Sequence, residues 1–403
     1  MKQDEAAATD ASALAARYQA VRDHTEWLAE PLQDEDQCLQ SMVDASPVKW
    51  HRAHTTWFFE RFVLTDGVAG RDPVDPQREY LFNSYYDAVG PRHARGQRGL
   101  ISRPTVSEVG AWRSSIDAEM ARLLAAGGIA PHCVDRIELG LQHEQQHQEL
   151  LLSDLQHAFA AHPFPPTYRG GERWLGPALR QHAPQWLAFD GGLQSFGHAG
   201  VGFAFDNESP RHHRWLEPFE LSSELVTEGE WLAFVEDGGY RQPRWWCADG
   251  YALVQAQDWQ APLYWRRDAA QWSVSSLGGL RSLQAERPVS HVSWYEADAY
   301  ARWAGARLPE EHEWEHAVER DDRCNQTLDA LWQWTGSAYR PYPGFAAASG
   351  ALGEYNGKFM CNQFVLRGGA WATPAGHARL SYRNFYYPQQ RWMFSGVRLA
   401  RSL

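Results

Sequence analysis

Hydrophobic residues recur every three or four positions through the first 160 residues and lose that spacing afterwards. This is the pattern of amphipathic helices, and it predicts a first helix over Ser12 to Glu30. Ser46 followed by Pro47 is typical of an N-cap with proline at the first helical position. A second helix is therefore predicted from Val48 to about Leu64.

Two further helices are predicted, one from Thr105 to the glycine pair at 127–128 and one from Pro131 through Leu155, which makes four in all. Four long helices predict an up-and-down bundle over residues 1–165. Residues 166–185 are rich in proline and glycine and are predicted to be a linker. Short apolar segments broken by Gly, Pro, Asn and Asp then predict an α+β domain over 186–403. Helices are predicted in it near 226–238 and 294–305.

Composition narrows the function classes. The 38 Lys and Arg against 50 Asp and Glu give a net charge of −12, which disfavours nucleic-acid and membrane-surface partners. There is no apolar run of bilayer length and no signal-peptide pattern, and the five cysteines are scattered without a CxxC pair. A cytoplasmic protein is expected. The 20 tryptophans are consistent either with a β-rich core or with aromatic walls around a cationic ligand.

Histidines carry the clearest chemical signal. His143 and His147 are four positions apart on a predicted helix and therefore share one face, as a metal site requires. His51 and His54 lie on another predicted helix, and one of them can meet that pair across the bundle. Three imidazoles with open coordination positions suit Fe(II), Zn(II) or copper. An alternative is a zinc protease, because HEQQH also matches HExxH, with Glu144 as the general base.

Several longer strings resemble one family. HRAHTTWFF, NSYYDAVGPRHARGQRGL and HEQQHQEL stand in the first half, and LRGGAWAT and SYRNFYYPQQRWMFSGVRLAR in the second. They resemble the ergothioneine-biosynthesis sulfoxide synthases, the related ovothiol enzymes and the selenoneine synthases, over residues of about 10–403. The resemblance implies a DinB-like four-helix bundle followed by an α+β formylglycine-generating-enzyme-like domain, related to C-type lectins.

The same resemblance implies a set of site residues. Iron ligands fall on His54, His143 and His147, and His51 is then a neighbour that does not ligate. Gln146 falls on a glutamine that contacts the imidazole of the substrate hercynine through water. Hercynine is the trimethylated betaine of histidine, and Asn384 and Phe385 match the positions that flank its betaine end. Fe(II) is the implied cofactor and dioxygen (O2) the co-substrate.

A tyrosine is implied as the proton source. One branch of the family carries it in the C-terminal domain, and another uses a Tyr-Tyr pair in the long loop of the bundle. This chain has the pair, Tyr85 and Tyr86, and so resembles the second branch. Tyr342 is a second candidate.

The chalcogen donor is less defined. Members that take γ-glutamylcysteine have an Asp and an Arg where this chain has Tyr386 and Gln390, so that donor is disfavoured. Cysteine would need a carboxylate clamp, which Arg95 and Arg98 would provide. A selenosugar would instead suit hydroxyl-binding and stacking groups. The aromatic residues available for it are Tyr386, Tyr387 and Trp392.

Two other interpretations stay open beside this one: an ovothiol-type histidine sulfoxide synthase, and a non-catalytic binding module. Direct cysteine oxidation of the formylglycine-generating type is disfavoured, because no cysteine follows Cys361. The resemblance therefore implies a non-haem iron enzyme that forms a carbon–sulfur or carbon–selenium bond on hercynine.

Overall fold

The computed structural model describes residues 2–65, 67–68, 70–127, 129–200, 202–269, 271–348 and 350–403, with side chains from residue 12 onward. The chain divides into two compact units, Met1–Ala161 and His162–Leu403. Within the described residues, no helix is both long enough and apolar enough to cross a lipid bilayer.

The first unit is helical. Its α-helices in the described chain are α1 (Lys2–Ala29), α2 (Val48–Phe58), α3 (Pro76–Phe82), α4 (Val106–Ala126) and α5 (Pro131–Ala161). A π-helical segment, Phe59–Thr65, continues α2, and a 3-10 helix spans Arg95–Leu100. Helices α1 and α2 each pack against both α4 and α5. The four long helices are those predicted from the periodicity, and the likeness to DinB proteins remains a prediction.

Helices α2 and α4 begin where they were predicted, but the one capping residue that was predicted is wrong. Thr105, near which the third helix was predicted to begin, caps α4, since its hydroxyl accepts the Glu108 N–H while the Glu108 carboxylate accepts the Thr105 N–H. Ser46 does not cap α2, because Pro47 occupies the N-cap position without a side-chain hydrogen bond. The Ser46 hydroxyl instead accepts a hydrogen bond from Arg98 at 2.9 Å, and its N–H donates to Asp154 at 2.7 Å.

A buried carboxylate holds three helices of the first unit together. Glu144 of α5 is fully buried, and it accepts hydrogen bonds from Arg22 and Thr25 of α1 at 2.8 and 2.6 Å and a further one from Arg113 of α4. Burial opposes ionisation of Glu144, but the guanidinium groups of Arg113 and Arg22 outweigh it and lower its pKa to about 2. The ion pairs therefore fix the rotation of α5 relative to α1 and α4.

The second unit is an α+β structure with short strands. Its helices are α6 (Glu228–Glu236), α7 (Ala248–Ala256), α8 (Trp294–Trp303) and α9 (Glu311–Arg320). Its strands are β1 (Trp186–Phe189), β2 (Gly192–Phe196), β3 (His212–Leu216), β4 (Phe219–Ser222), β5 (Trp265–Asp268), β6 (Gln271–Ser276), β7 (Gly279–Ser282), β8 (Trp332–Ala338), β9 (Phe364–Gly368), β10 (Asn384–Tyr386), β11 (Ser395–Gly396) and β12 (Ala400–Ser402).

The strands form small sheets of order β1-β4-β12, β10-β9-β8-β11, β2-β3 and β5-β6-β7. Neighbouring strands are antiparallel except β8 and β11, which are parallel. The stretch predicted as a linker packs onto this unit, where Tyr168 and Trp174 are buried. Helices α6 and α8 match the two predicted ones, whereas α7 and α9 were not predicted.

Many of the tryptophans are core residues. Trp231, Trp314, Trp332 and Trp334 are fully buried. The indole N–H of Trp314 donates to Gln333 at 2.7 Å, and that of Trp334 donates to the Val292 carbonyl at 2.9 Å. Of the two interpretations of the tryptophan content, core packing applies to these four, two of which lie on helices and two on β8.

Replacing Glu144 with Gln should destabilise the first unit. Arg22 and Arg113 would remain buried with less counter-charge, which costs about 3–5 kcal/mol in the free energy of unfolding. Urea denaturation measures this difference. Because the pKa of Glu144 is lowered from 4.5 to about 2, its stabilising effect is complete above about pH 4.5 and is lost as the pH falls toward 2. The difference between parent and variant should shrink over that range.

Glu138→Gln is the matched control on the same helix. Glu138 pairs with Arg17, whose side chain is 53% exposed, so the loss should stay below about 1 kcal/mol. Equal stability of the Glu144 variant and this control would contradict the structural role of Glu144.

Candidate metal centre

Three histidines of the first unit converge in its core. His54 comes from α2 and His143 and His147 from successive turns of α5, and their ligand atoms all lie within 4.8 Å of one another. The Nε2 atoms of His54 and His143 are 3.1 Å apart. Two nitrogens bound at about 2.1 Å and at right angles to one metal would be separated by about 3.0 Å. The spacing therefore fits neighbouring positions around a single ion, and α2 contributes His54 to the group.

The three imidazoles are in the state that a metal requires. Burial lowers the pKa of each, to about 3 for His143 and well below the ordinary value for His54 and His147. The neighbouring His143 lowers the pKa values of His54 and His147 further. Neutral imidazole carries the lone pair that binds a cation, so the group is ready to bind at neutral pH.

His54 is held on three sides. Its Nδ1 donates to the Phe82 carbonyl at 2.6 Å, which leaves Nε2 as the atom that faces the other histidines. The rings of Trp50 and Trp57 stack on its imidazole with centroids 4.6 and 5.5 Å away. Phe82 is the last residue of α3, so the predicted long loop supplies the group that orients this histidine.

The environment of Glu144 argues against the protease alternative. A general base of the HExxH type must reach a metal-bound water. The Glu144 carboxylate is fully buried and occupied by Arg22, Arg113 and Thr25. It is therefore a structural residue, which the sequence motif alone did not indicate.

The predicted tyrosine pair lies one aromatic ring away from His54. Tyr86 is fully buried, and its ring contacts Trp57 with centroids 5.8 Å apart, while Trp57 stacks on His54. Tyr85 is half-buried, and its hydroxyl lies 3.4 Å from that of Tyr86. The two hydroxyls thus form a hydrogen-bonded pair that begins in the core and ends nearer the surface.

The two arginines predicted as a clamp occupy different environments. Arg95 is exposed and donates to the Asp44 carbonyl. Arg98 is buried, and its guanidinium lies 3.4 Å from the ring centroid of Trp50. It donates to the hydroxyls of Ser46 and Ser84 at 2.9 and 3.1 Å.

In the described chain, the side chains that accept hydrogen bonds from Arg98 are hydroxyls and not carboxylates, and its Nε atom is buried without a partner. Burial lowers the pKa of Arg98 to about 8, and the nearby Arg95 lowers it further while Asp154 opposes the shift. A buried cation with an unused N–H donor is suited to binding an anionic ligand.

The remaining predicted residues divide between the two units. Gln146 is half-buried on α5 beside His147. Asn384, Phe385 and Tyr386 form β10, and the Phe385 ring stacks on Tyr339 with centroids 4.1 Å apart.

Two further predicted residues follow β10. Tyr387 is 42% exposed, and its N–H donates to the side chain of Gln390 at 3.0 Å. Tyr342, the second tyrosine candidate, is buried in the second unit. Its hydroxyl donates to Glu311 at 3.2 Å, and the Arg383 guanidinium lies over its ring.

Comparison with known proteins covers both units. A family model for the sulfatase-modifying factor enzyme 1-like domain matches residues 172–327 and 324–403. A hercynine oxygenase of Mycolicibacterium thermoresistibile is 31% identical over 418 aligned positions, covering 88% of this chain and 87% of the relative. One from Mycobacterium tuberculosis is 30% identical over 412 positions, covering 91% and 93%. The Schizosaccharomyces pombe ergothioneine biosynthesis protein 1 is 23% identical over 234 positions, covering 50% and 28%.

Proposed function

The chain belongs to the hercynine oxygenase family, and on that premise we propose that it is an iron(II)- and dioxygen-dependent enzyme that bonds sulfur or selenium to the imidazole of hercynine. The family relationship inferred from the sequence motifs is confirmed, as is a second domain of the sulfatase-modifying-factor type. The observation that carries the proposal is the buried group of three neutral histidines.

The histidine group suits iron(II) by its chemistry. Three imidazoles and no carboxylate among the grouped ligands leave positions open for substrates. When bound there, iron(II) supplies the redox chemistry that activates dioxygen. The protein holds His54, His143 and His147 in fixed orientations and keeps them in an apolar surrounding of Trp50, Trp57 and Phe58.

The proposed reaction balances with a thiol donor as follows. The C–H bond between the two imidazole nitrogens and the S–H bond break, and a C–S bond and an S–O bond form. One oxygen atom of dioxygen ends in the sulfoxide and the other leaves as water. A selenium donor would give the selenium analogue of this product.

The tyrosine pair is the proposed proton source. The hydroxyls of Tyr85 and Tyr86 are close enough to exchange a proton, and Trp57 lies between Tyr86 and His54. A proton held at this position would favour bond formation to carbon over simple oxidation of the donor.

The betaine end of hercynine is proposed to bind near β10. A trimethylammonium group has no N–H donor, so aromatic faces and amide oxygens are the groups that recognise it. Phe385, stacked on Tyr339, and the half-buried Asn384 offer both kinds of group.

Different observations support the two candidate donors. The buried cation of Arg98, with its unused N–H, fits the carboxylate of cysteine. The exposed ring of Tyr387, held beside Gln390, fits stacking and hydrogen bonding to a selenosugar. γ-Glutamylcysteine stays disfavoured, because Tyr386 and Gln390 replace the residues expected to hold its glutamyl group.

Product mass tests the proposed function directly. We expect the iron-loaded chain, mixed in air with hercynine, cysteine and a selenosugar, to form an adduct of hercynine with sulfur or selenium. Mass spectrometry distinguishes the two, since selenium has a characteristic isotope pattern. Omitting oxygen should abolish the adduct. Absence of any adduct with the fully loaded enzyme would refute hercynine as the acceptor, and an adduct formed only when histidine replaces hercynine would point to the ovothiol-type reaction.

Arg98→Gln should raise the KM for cysteine by about 10–100-fold, since a charged hydrogen bond contributes roughly 1.5–3 kcal/mol. The KM for hercynine should change far less. Steady-state rates at varied cysteine measure the effect, and Arg92→Gln, which removes an exposed arginine of the same segment, is the control. An unchanged KM for cysteine would remove Arg98 from the donor site.

Tyr86→Phe should shift the products toward oxidised donor by at least about tenfold, because proton delivery contributes strongly to such steps. Tyr85→Phe should act in the same direction. The ratio of adduct to oxidised donor is read by mass spectrometry, with Tyr80→Phe, an exposed tyrosine of α3, as the control. Unchanged ratios in both variants would make the tyrosine assignment wrong and leave Tyr342 as the candidate.

A further inference from the structure

A hydrogen-bonded relay runs from His147 through His51 to Asp154. Nδ1 of His147 is 2.8 Å from Nδ1 of His51, and Nε2 of His51 is 3.1 Å from Oδ2 of Asp154. All three side chains are buried. His51 lies one turn before His54 on α2, and Asp154 lies two turns after His147 on α5, so packing of the two helices brings them together.

The position of each proton in this relay follows from the hydrogen bonds of Asp154, at its far end. Oδ2 of Asp154 accepts the backbone N–H of Ser46 at 2.7 Å, so that oxygen acts as an acceptor and the ring N–H of His51 must lie on Nε2. Nδ1 of neutral His51 is then an acceptor. His147 must therefore donate from its Nδ1, and its Nε2 carries the lone pair.

We propose that Asp154 and His51 are positioning residues that hold His147 in the Nδ1–H tautomer, with Nε2 aimed at the metal. The proposal rests on the metal site of the proposed function and not on its substrates. His54 receives the same support directly from the Phe82 carbonyl. His147 receives it through a second histidine, which places the charged carboxylate one ring further from the metal.

The arrangement also links the metal ligand to the segment that precedes α2. Asp154 bonds both His51 and the Ser46 backbone, and the Ser46 hydroxyl accepts from Arg98. A change at Asp154 therefore removes the support of His147 and also loosens Ser46. A variant that keeps one bond and loses the other cannot be made at this oxygen, so the test needs a conservative replacement.

The first test reads the tautomers in the parent chain and uses two histidine variants only to assign the signals. Nitrogen NMR of the full-length chain with 15N-labelled histidine, after removal of metal by chelation, reports which nitrogen of each ring is protonated. We expect Nδ1–H for His147 and Nε2–H for His51, with assignments from His147→Gln and His51→Gln. Finding the His147 proton on Nε2, or a doubly protonated His51, would overturn the proposal without any need for a folded Asp154 variant.

The second test measures affinity for Co(II), whose visible absorption reports binding. Asp154→Ala should weaken binding by about 10–100-fold, the usual cost of losing an outer hydrogen-bond partner of a ligand. In this variant His147 should also no longer be held in the Nδ1–H tautomer. Asp154→Asn should stay within about threefold of the parent, because its amide oxygen still accepts both N–H groups.

His157→Ala is the matched control. His157 lies on α5 one turn beyond Asp154, and its Nδ1 bonds Ser41 at 2.6 Å. Its loss should leave Co(II) affinity unchanged. Parent-like affinity in Asp154→Ala, or a loss in Asp154→Asn as large as in the alanine variant, would overturn the proposal.

Neither test involves hercynine, a donor or oxygen, so failure of the proposed function and failure of this inference are distinguishable. If the protein shows the predicted tautomers and Co(II) response but makes no adduct, the relay is supported and the substrate assignment is wrong. If the protein makes the adduct but the His147 proton is on Nε2, only the proposed relay is wrong.

Discussion

The ion pairs of Glu144 are the constraint on which the first unit depends. Glu144 follows His143 directly in α5, so the two side chains leave the helix in different directions. The carboxylate is bound by Arg22 of α1 and Arg113 of α4, while the imidazole faces His54 of α2. Because a buried carboxylate is costly unless it is paired, α5 has one favourable rotation. That rotation directs both α5 histidines toward α2, so a structural ion pair helps to form the candidate metal site.

The segment between α2 and α4 completes the site through its contacts with α2. The end of α3 gives a carbonyl to His54, Tyr86 packs on Trp57, and Arg98 lies over Trp50. These contacts all involve α2, which is buried along its whole length. A long connection is ordered here by aromatic and hydrogen-bonding contacts with one helix, which explains why its side chains occupy defined positions beside the histidines.

Local sequence rules predicted the features that depend on a single helix. They failed for features that depend on how two elements pack together. The spacing of His143 and His147 determines that they share a face, and α4 begins beside Thr105 as expected. The spacing alone could not choose between His51 and His54, because the choice depends on how α2 packs on α5; the family resemblance pointed to His54. Ser46 looked like an N-cap, but its hydroxyl and N–H are used by Arg98 and Asp154, which are distant in sequence. Asp154 belongs to no recognisable sequence motif, because its hydrogen bond to His51 forms only when α2 packs against α5.

Charge relates the proposed metal site to its proposed ligands. Three neutral imidazoles leave the charge of a divalent ion uncompensated, and Asp154, the carboxylate of the relay, is separated from it by two rings. Arg98 adds a second cation close enough to lower the pKa values of His51, His54 and His147 beyond the effect of their burial. A site with these charges attracts anions, and thiolate, selenolate and carboxylate groups are anions. Arg98 has no carboxylate hydrogen-bond partner in the described chain. Its charge therefore favours a donor that brings its own negative charge to the proposed metal site.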